Sequence, residues 1–166
     1  DISMENLKKI FLGEVTNWKE LGGKDQKIVI LNRAAGSGTR ATFEKWVLGD
    51  KTAIRAQEQD SSGMVRSIVS DTPGAISYTA FSYVTDEVAT LSIDGVQPTD
   101  ENVMNNKWII WSYEHMYTRK NPSDLTKEFL DFMLSDDIQE RVIGQLGYIP
   151  VSKMEIERDW QGNVIK

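Results

Sequence analysis

The residues best suited to chemistry gather between positions 33 and 39. Arg33 is followed by Ala34 and Ala35, then by Gly36, Ser37, Gly38 and Thr39. Every polar group in this run donates. Arg33 offers a planar fork that matches two oxygens of a tetrahedral oxyanion, and Ser37 and Thr39 add hydroxyls. Gly36 and Gly38 carry no Cβ, so their backbone can approach a ligand closely. Ala41, Phe43, Trp46 and Val47 then recur at helical spacing, so the run opens a helix. A helix start has N–H groups without intrahelical partners and the positive end of the peptide dipole. The chemistry indicated is anion binding. The plainer alternative is an ordinary helix start with Ser37 as its cap. Ser61 opens a second expected helix and is a further candidate donor, again against simple capping.

Two catalytic readings of the turn fail on residue identity. A P-loop needs lysine immediately before its final Ser/Thr, where Gly38 stands. A nucleophile elbow needs glycine two residues before and after its serine, and Ser37 has Ala35 and Thr39 there. His115 is the single histidine and cysteine is absent, so neither a Ser–His pair nor a thiolate or histidine metal set is spelled out. No catalytic residue, metal ligand or cofactor motif is assigned.

The elements that must position the turn follow from apolar spacing. Ile28 to Leu31 is a short apolar run that suits a strand covered on both faces, leading through the turn into a helix stopped by Gly49. Ser3 is expected to cap a helix through about Leu12, with Leu7, Ile10 and Phe11 on one face and Gly13 as its stop. Trp18 is expected to pack its loop onto this body. Asp50 to Asp60 reads as a polar, weakly helical stretch. A helix from Ser61–Ser62 should bury Met64, Val65, Ile68 and Val69. Asp71–Gly74 is a turn into an inner strand, Ala75–Tyr78. A strand is expected to end at Ile93 before an Asp94–Gly95 turn, and Thr99 to cap a short helix through Asn105. Trp108–Tyr117 is rich in β-formers and reads as a crossing strand. Two helices follow. One runs over 125–134, capped by Ser123, with Leu125, Phe129, Phe132 and Met133 inward. The other starts at Ser135, presents Ile138, Val142, Ile143 and Leu146, and is ended by Gly147. Residues 148–151 read as extended and 153–166 as a polar, partly helical tail. Helices alternating with strands indicate an α/β fold.

The chain has 166 residues, 40% hydrophobic and 27% charged, which fits one globular domain. A net charge of −6 argues against nucleic acid and against an acidic membrane surface as partners. It does not argue against a small anion, because a desolvated site uses local N–H dipoles and one arginine while distant carboxylates are screened.

The stretch NRAAGSGTRATFEKWVLG, preceded by IFLGEVTNWKELGG and followed by DTPGAISY, SYEHMYTR, LTKEFLDFMLSDDIQ and LGYIPVS, resembles the second lobe of phosphate-binding proteins of ABC importers. The likeness is greatest to the lipid-anchored forms of Gram-positive bacteria. It implies a periplasmic-binding-protein-like fold of type II. Residues 1–108 would form the ligand-binding lobe, with a mixed sheet flanked by helices. Residues 109–166 would form a return crossover strand and the C-terminal helices. It also implies that Arg33, Ser37, Gly38 and Thr39 contact phosphate, with Gly36 and Ser61 as possible additions. Some relatives have an aspartate two residues after the arginine, where this chain has Ala35, so a possible partner for Arg33 is missing. The implied activity is reversible binding of inorganic phosphate and its delivery to a membrane ABC permease. The implied location is the extracellular face of the cytoplasmic membrane, with a lipid anchor on the longer form. Family members carry a preceding lobe with its own phosphate turn, and this chain corresponds to the C-terminal part. The isolated chain is accordingly expected to bind phosphate weakly and to self-associate, through Trp108–Tyr117 or by exchange of its C-terminal helices. Sulfate or molybdate binding, and a phosphate-sensing or structural module, are the alternatives.

Overall fold

Residues Val29–Arg33 form a central strand, β1, with parallel neighbours on both sides: β2 (Gln57–Gln59) and β3 (Ala75–Ile76), in the order β2-β1-β3. Leu31 pairs with Gln57 and Arg33 with Gln59, while Val29 pairs with Ala75. Parallel neighbours require crossovers. The first crossover contains α2 (Gly38–Phe43), which continues as a wider π-type turn over Glu44–Leu48, and the second is α3 (Ser62–Asp71). The α/β class is therefore the observed one, with a sheet parallel in each of these pairings rather than mixed. The computed structural model describes residues 1–159 and 161–166. Trp160, within the tail expected to be partly helical, lies outside the described residues.

Two compact units are present. The first comprises Asp1–Pro98 and Trp108–Trp111, the second Thr99–Lys107 and Ser112–Lys166. In the first, α1 (Met4–Phe11) starts where expected, because the Ser3 hydroxyl accepts the Asn6 N–H at 3.1 Å. Its Leu7, Ile10 and Phe11 pack into one core with Ile28, Phe43, Val47, Leu48 and Ile76. The Phe11 and Phe43 rings lie 4.6 Å apart, and Tyr78 stacks on Phe43 at 4.0 Å. Removing a fully buried phenyl such as Phe11 would cost about 3–5 kcal/mol. The turn into β3 depends on glycine. Gly74 has φ +83°, and a Cβ there would lie 2.4 Å from the Lys27 carbonyl oxygen. Trp18 packs as expected, half-buried against the core with its indole N–H donating to the Gly74 carbonyl at 3.0 Å.

Several expectations are corrected. The polar stretch 50–60 contains β2, a strand whose residues are Gln57, Glu58 and Gln59. No apolar alternation marks it, because it is held by the ladder to β1 rather than by burial. The strand expected before Asp94 is reduced to single bridges of Ile93 with Ile2 and Val96. Met64 is exposed, whereas Val65 on the same helix is buried.

In the second unit, α4 (Asp100–Met104) is capped by Thr99 and α5 (Asp124–Met133) by Ser123, both as expected. Trp108–Tyr117 forms no regular strand among the described residues. Ser135 does not cap the following helix: its hydroxyl donates back to the Phe132 carbonyl at 2.7 Å, and a π-type turn over Ile138–Ile143 follows. Leu125, Phe129 and Phe132, expected to face inward, are exposed. Their helical spacing is real, but nothing within the described residues covers that face. Buried Gln139 links α5 to Val151, donating to the Met133 carbonyl at 2.8 Å and accepting the Val151 N–H at 3.0 Å.

Candidate functional site

The carboxyl ends of β1 and β2 lie side by side, and each is followed within a few residues by a helix start. Crevices outside the carboxyl ends of parallel strands are where open α/β sheets take ligands. Here that edge carries the residues singled out by their chemistry.

Arg33 is the last residue of β1 rather than part of the turn, and it is 8% exposed. Its backbone N–H donates to the Tyr78 hydroxyl at 3.3 Å. Its side chain reaches towards the start of α3 through all three guanidinium nitrogens. Nε donates to the Gln59 carbonyl at 3.3 Å, Nη1 to the Ser62 hydroxyl at 2.7 Å and Nη2 to the Asp60 carbonyl at 2.8 Å. A guanidinium has five N–H groups, so one remains on each Nη. These partners are neutral, and among the described residues no carboxylate forms an ion pair with Arg33. Burying a cation with neutral acceptors satisfies its N–H groups without compensating its charge. The partly positive start of α3 adjoins it, which raises the local positive potential further.

Gly36 has φ +88°, the left-handed conformation that reverses the chain between β1 and α2. Ser37 caps α2, its hydroxyl accepting the Arg40 N–H at 3.3 Å. The N–H groups of Gly38 and Thr39 have no partner among the described residues, as the first turn of a helix requires. Gly38 is informative for a different reason. Its φ is not in the left-handed region, and among the described residues a Cβ placed on it would meet nothing within 4 Å. The fold itself gives no reason for glycine at this position. Thr39 is half-buried, with no hydrogen bond to its hydroxyl among the described residues. Ser61 is occupied as the cap of α3, accepting the Met64 N–H at 3.1 Å.

Arg40, in the first turn of α2, does not point to solvent. Its Nε pairs with Glu44 at 2.8 Å, and its Nη1 reaches Glu58 at 2.7 Å and the Arg33 carbonyl at 2.8 Å. The two carboxylates raise its pKa well above the ordinary guanidinium value. Tyr78 is likewise raised, chiefly by burial. Sequence reasoning missed Ser62 and Tyr78. The Ser61–Ser62 pair at a helix start was a signal, since one serine is enough to cap. Tyr78 carried no signal beyond its place at the end of an inner strand. Ala35 is exposed, and the orientation a carboxylate there would give Arg33 comes instead from Gln59, Asp60 and Ser62.

No helix among the described residues is long and apolar enough to cross a membrane. Residues 1–137 match the model of a PBP superfamily domain. The chain is 52% identical over 163 residues to the phosphate-binding protein PstS of Bacillus subtilis, covering 98% of this chain and 54% of that protein. It is 32% identical over 164 residues to PstS of Borreliella burgdorferi, covering 91% and 58%. Among solved structures, it superposes with a TM-score of 0.77 and 36% identity on a phosphate ABC transporter substrate-binding protein with bound phosphate from Clostridium perfringens, covering 90% of this chain and 62% of that one. The chain thus spans little more than half the length of these relatives, and the match of a superfamily model to most of its residues establishes that it belongs to the PBP superfamily.

Proposed function

We propose that this chain supplies one side of a reversible binding site for inorganic phosphate, in a protein that hands the anion to an ABC-type permease at the outer face of the cytoplasmic membrane. Arg33, Ser37, Gly38 and Thr39 form the phosphate-contacting set, with Gly36 shaping the turn. Ser61, like Ser37, caps its helix through an oxygen lone pair and retains its O–H as a further donor. The first unit is the ligand-binding lobe, and a lipid anchor belongs to the longer form of the protein. The observation that carries this reading is the buried Arg33 guanidinium, oriented by neutral acceptors with its charge left uncompensated. A dehydrated oxyanion would compensate it and take up the unpartnered N–H groups of Gly38 and Thr39. The names of the PstS relatives and the phosphate-bound homologue support phosphate as that oxyanion. Such a role requires capture and release without covalent change, which suits a turn made of donors.

Sulfate and molybdate present the same tetrahedral oxygens, and this donor set does not by itself distinguish them. Titration calorimetry with inorganic phosphate, repeated with sulfate and molybdate as competitors across neutral pH, tests the assignment. Phosphate binding that Arg33→Ala weakens supports it. Heats that are unchanged by Arg33→Ala, or stronger binding of sulfate at every pH, would contradict it. Self-association of the chain is a further element of this reading, supported by the exposed apolar face of Leu125, Phe129 and Phe132. Light scattering showing a monomer at all concentrations would remove it.

A further inference from the structure

We infer that Ser62 is a positioning residue for Arg33, and that its hydroxyl fixes the guanidinium in the orientation needed to meet an oxyanion. The inference rests on the anion-binding reading of Arg33 and goes beyond it to a residue which that reading does not require.

The sequence places two serines at the start of α3, and they do different work. Ser61 accepts the Met64 N–H and caps the helix. Ser62 is the first helical residue, is 7% exposed, and directs its hydroxyl oxygen to Arg33 Nη1 at 2.7 Å. A capped helix does not need that second hydroxyl. Nor is Ser62 a contact of convenience on the surface, since both partners are buried.

A guanidinium is planar, so acceptors at its nitrogens fix both its plane and its rotation about the side-chain axis. Nε and Nη2 are held by the backbone carbonyls of Gln59 and Asp60, which any sequence with this backbone would supply. Nη1 is held by Ser62, the side-chain member of the set. The choice of a hydroxyl also matters electrostatically. A carboxylate in the same place would orient Arg33 equally well but would neutralise it, competing with the incoming anion. A neutral acceptor orients the fork while leaving its charge for the ligand. With Ala at position 62, Nη1 would lose its partner in a buried setting. The guanidinium would then turn to recover a hydrogen bond, taking its two remaining N–H groups out of line.

The test is a double-mutant cycle on the 166-residue chain, with inorganic phosphate as the ligand and thermal unfolding recorded for each variant. Ser62→Ala is expected to weaken phosphate binding about fivefold. Ser62→Thr, which keeps the hydroxyl, should retain most of the affinity. In an Arg33→Lys background the same Ser62→Ala change should have no further effect, because a lysine has no fork to orient. The Arg33 Nε–H, read by NMR, should exchange faster with solvent in Ser62→Ala than in the parent. An equal loss of affinity in both backgrounds would overturn the inference, since Ser62 would then act through the general integrity of the fold. So would an Ser62→Ala variant that binds phosphate as the parent does while Arg33→Lys binds it poorly; that pattern leaves the anion site standing. If Arg33→Lys itself binds as the parent does, the anion-site reading fails and the role of Ser62 fails with it.

Discussion

Arg33 and Arg40 meet at one atom, the Arg33 carbonyl oxygen, which accepts a hydrogen bond from Arg40 Nη1. Beyond that atom their surroundings differ in kind. Arg40 faces Glu44 and Glu58 and is part of an ion-pair network joining α2 to β2. Arg33 faces two carbonyls and a hydroxyl, all neutral. The first arrangement closes a circuit of charge inside the protein; the second leaves one open. Sequence chemistry singled out Arg33 alone of the two arginines. The structure makes both half-buried or better, and what separates them is compensation of charge rather than exposure.

The comparison predicts opposite phenotypes. Arg33→Ala should weaken phosphate binding by about tenfold or more, the worth of one charge-assisted hydrogen bond or two. Arg40→Ala should weaken it much less but lower the unfolding free energy by about 1–2 kcal/mol, because Glu44 and Glu58 are only partly screened by solvent when left unpaired. Calorimetric titration and thermal unfolding of the two variants side by side check this. Equal affinities for phosphate would break the comparison.

Gly38→Ala sharpens it at the backbone. Since a methyl group there meets nothing within 4 Å among the described residues, stability should be unchanged or slightly raised. A methyl group between the ligand and the start of α2 should nevertheless lower phosphate affinity by about threefold to tenfold. Unchanged affinity would show that no ligand approaches this glycine. The smallest effect is expected for Thr39→Val, which removes a hydroxyl that has no hydrogen-bond partner among the described residues. Binding should weaken by about threefold, with the melting temperature unmoved; a large loss of stability instead would mean that the hydroxyl serves the fold.

The helix that carries the turn was legible for physical reasons that act locally. Ser3, Ser37, Ser61, Thr99 and Ser123 all sit before apolar periodicity, and all five cap helices. β2 was not legible, because Gln57–Gln59 has neither apolar residues nor alternation and owes its strand to pairing with β1. The partners of Arg33 were not legible either. They come from residues 59–62 and 78, brought to the end of β1 by parallel pairing, and two of them are backbone carbonyls that any side chain would leave in place. The exposed face of Leu125, Phe129 and Phe132 shows the reverse case. Periodicity reports which face of a helix is apolar, and it is silent on whether the same stretch of chain covers that face.

The central claim is that the edge formed by Arg33, Gly38 and Thr39 receives the anion. Backbone and arginine side-chain NMR of the chain, titrated with inorganic phosphate, tests it residue by residue and does not require tight binding. Saturable shifts are expected at the Gly38 and Thr39 amides and at the Arg33 Nε–H, with the Arg40 side chain little affected. Shifts confined to Arg40 or to residues outside 33–39, with the Gly38 and Thr39 amides unmoved at saturating phosphate, would contradict the account.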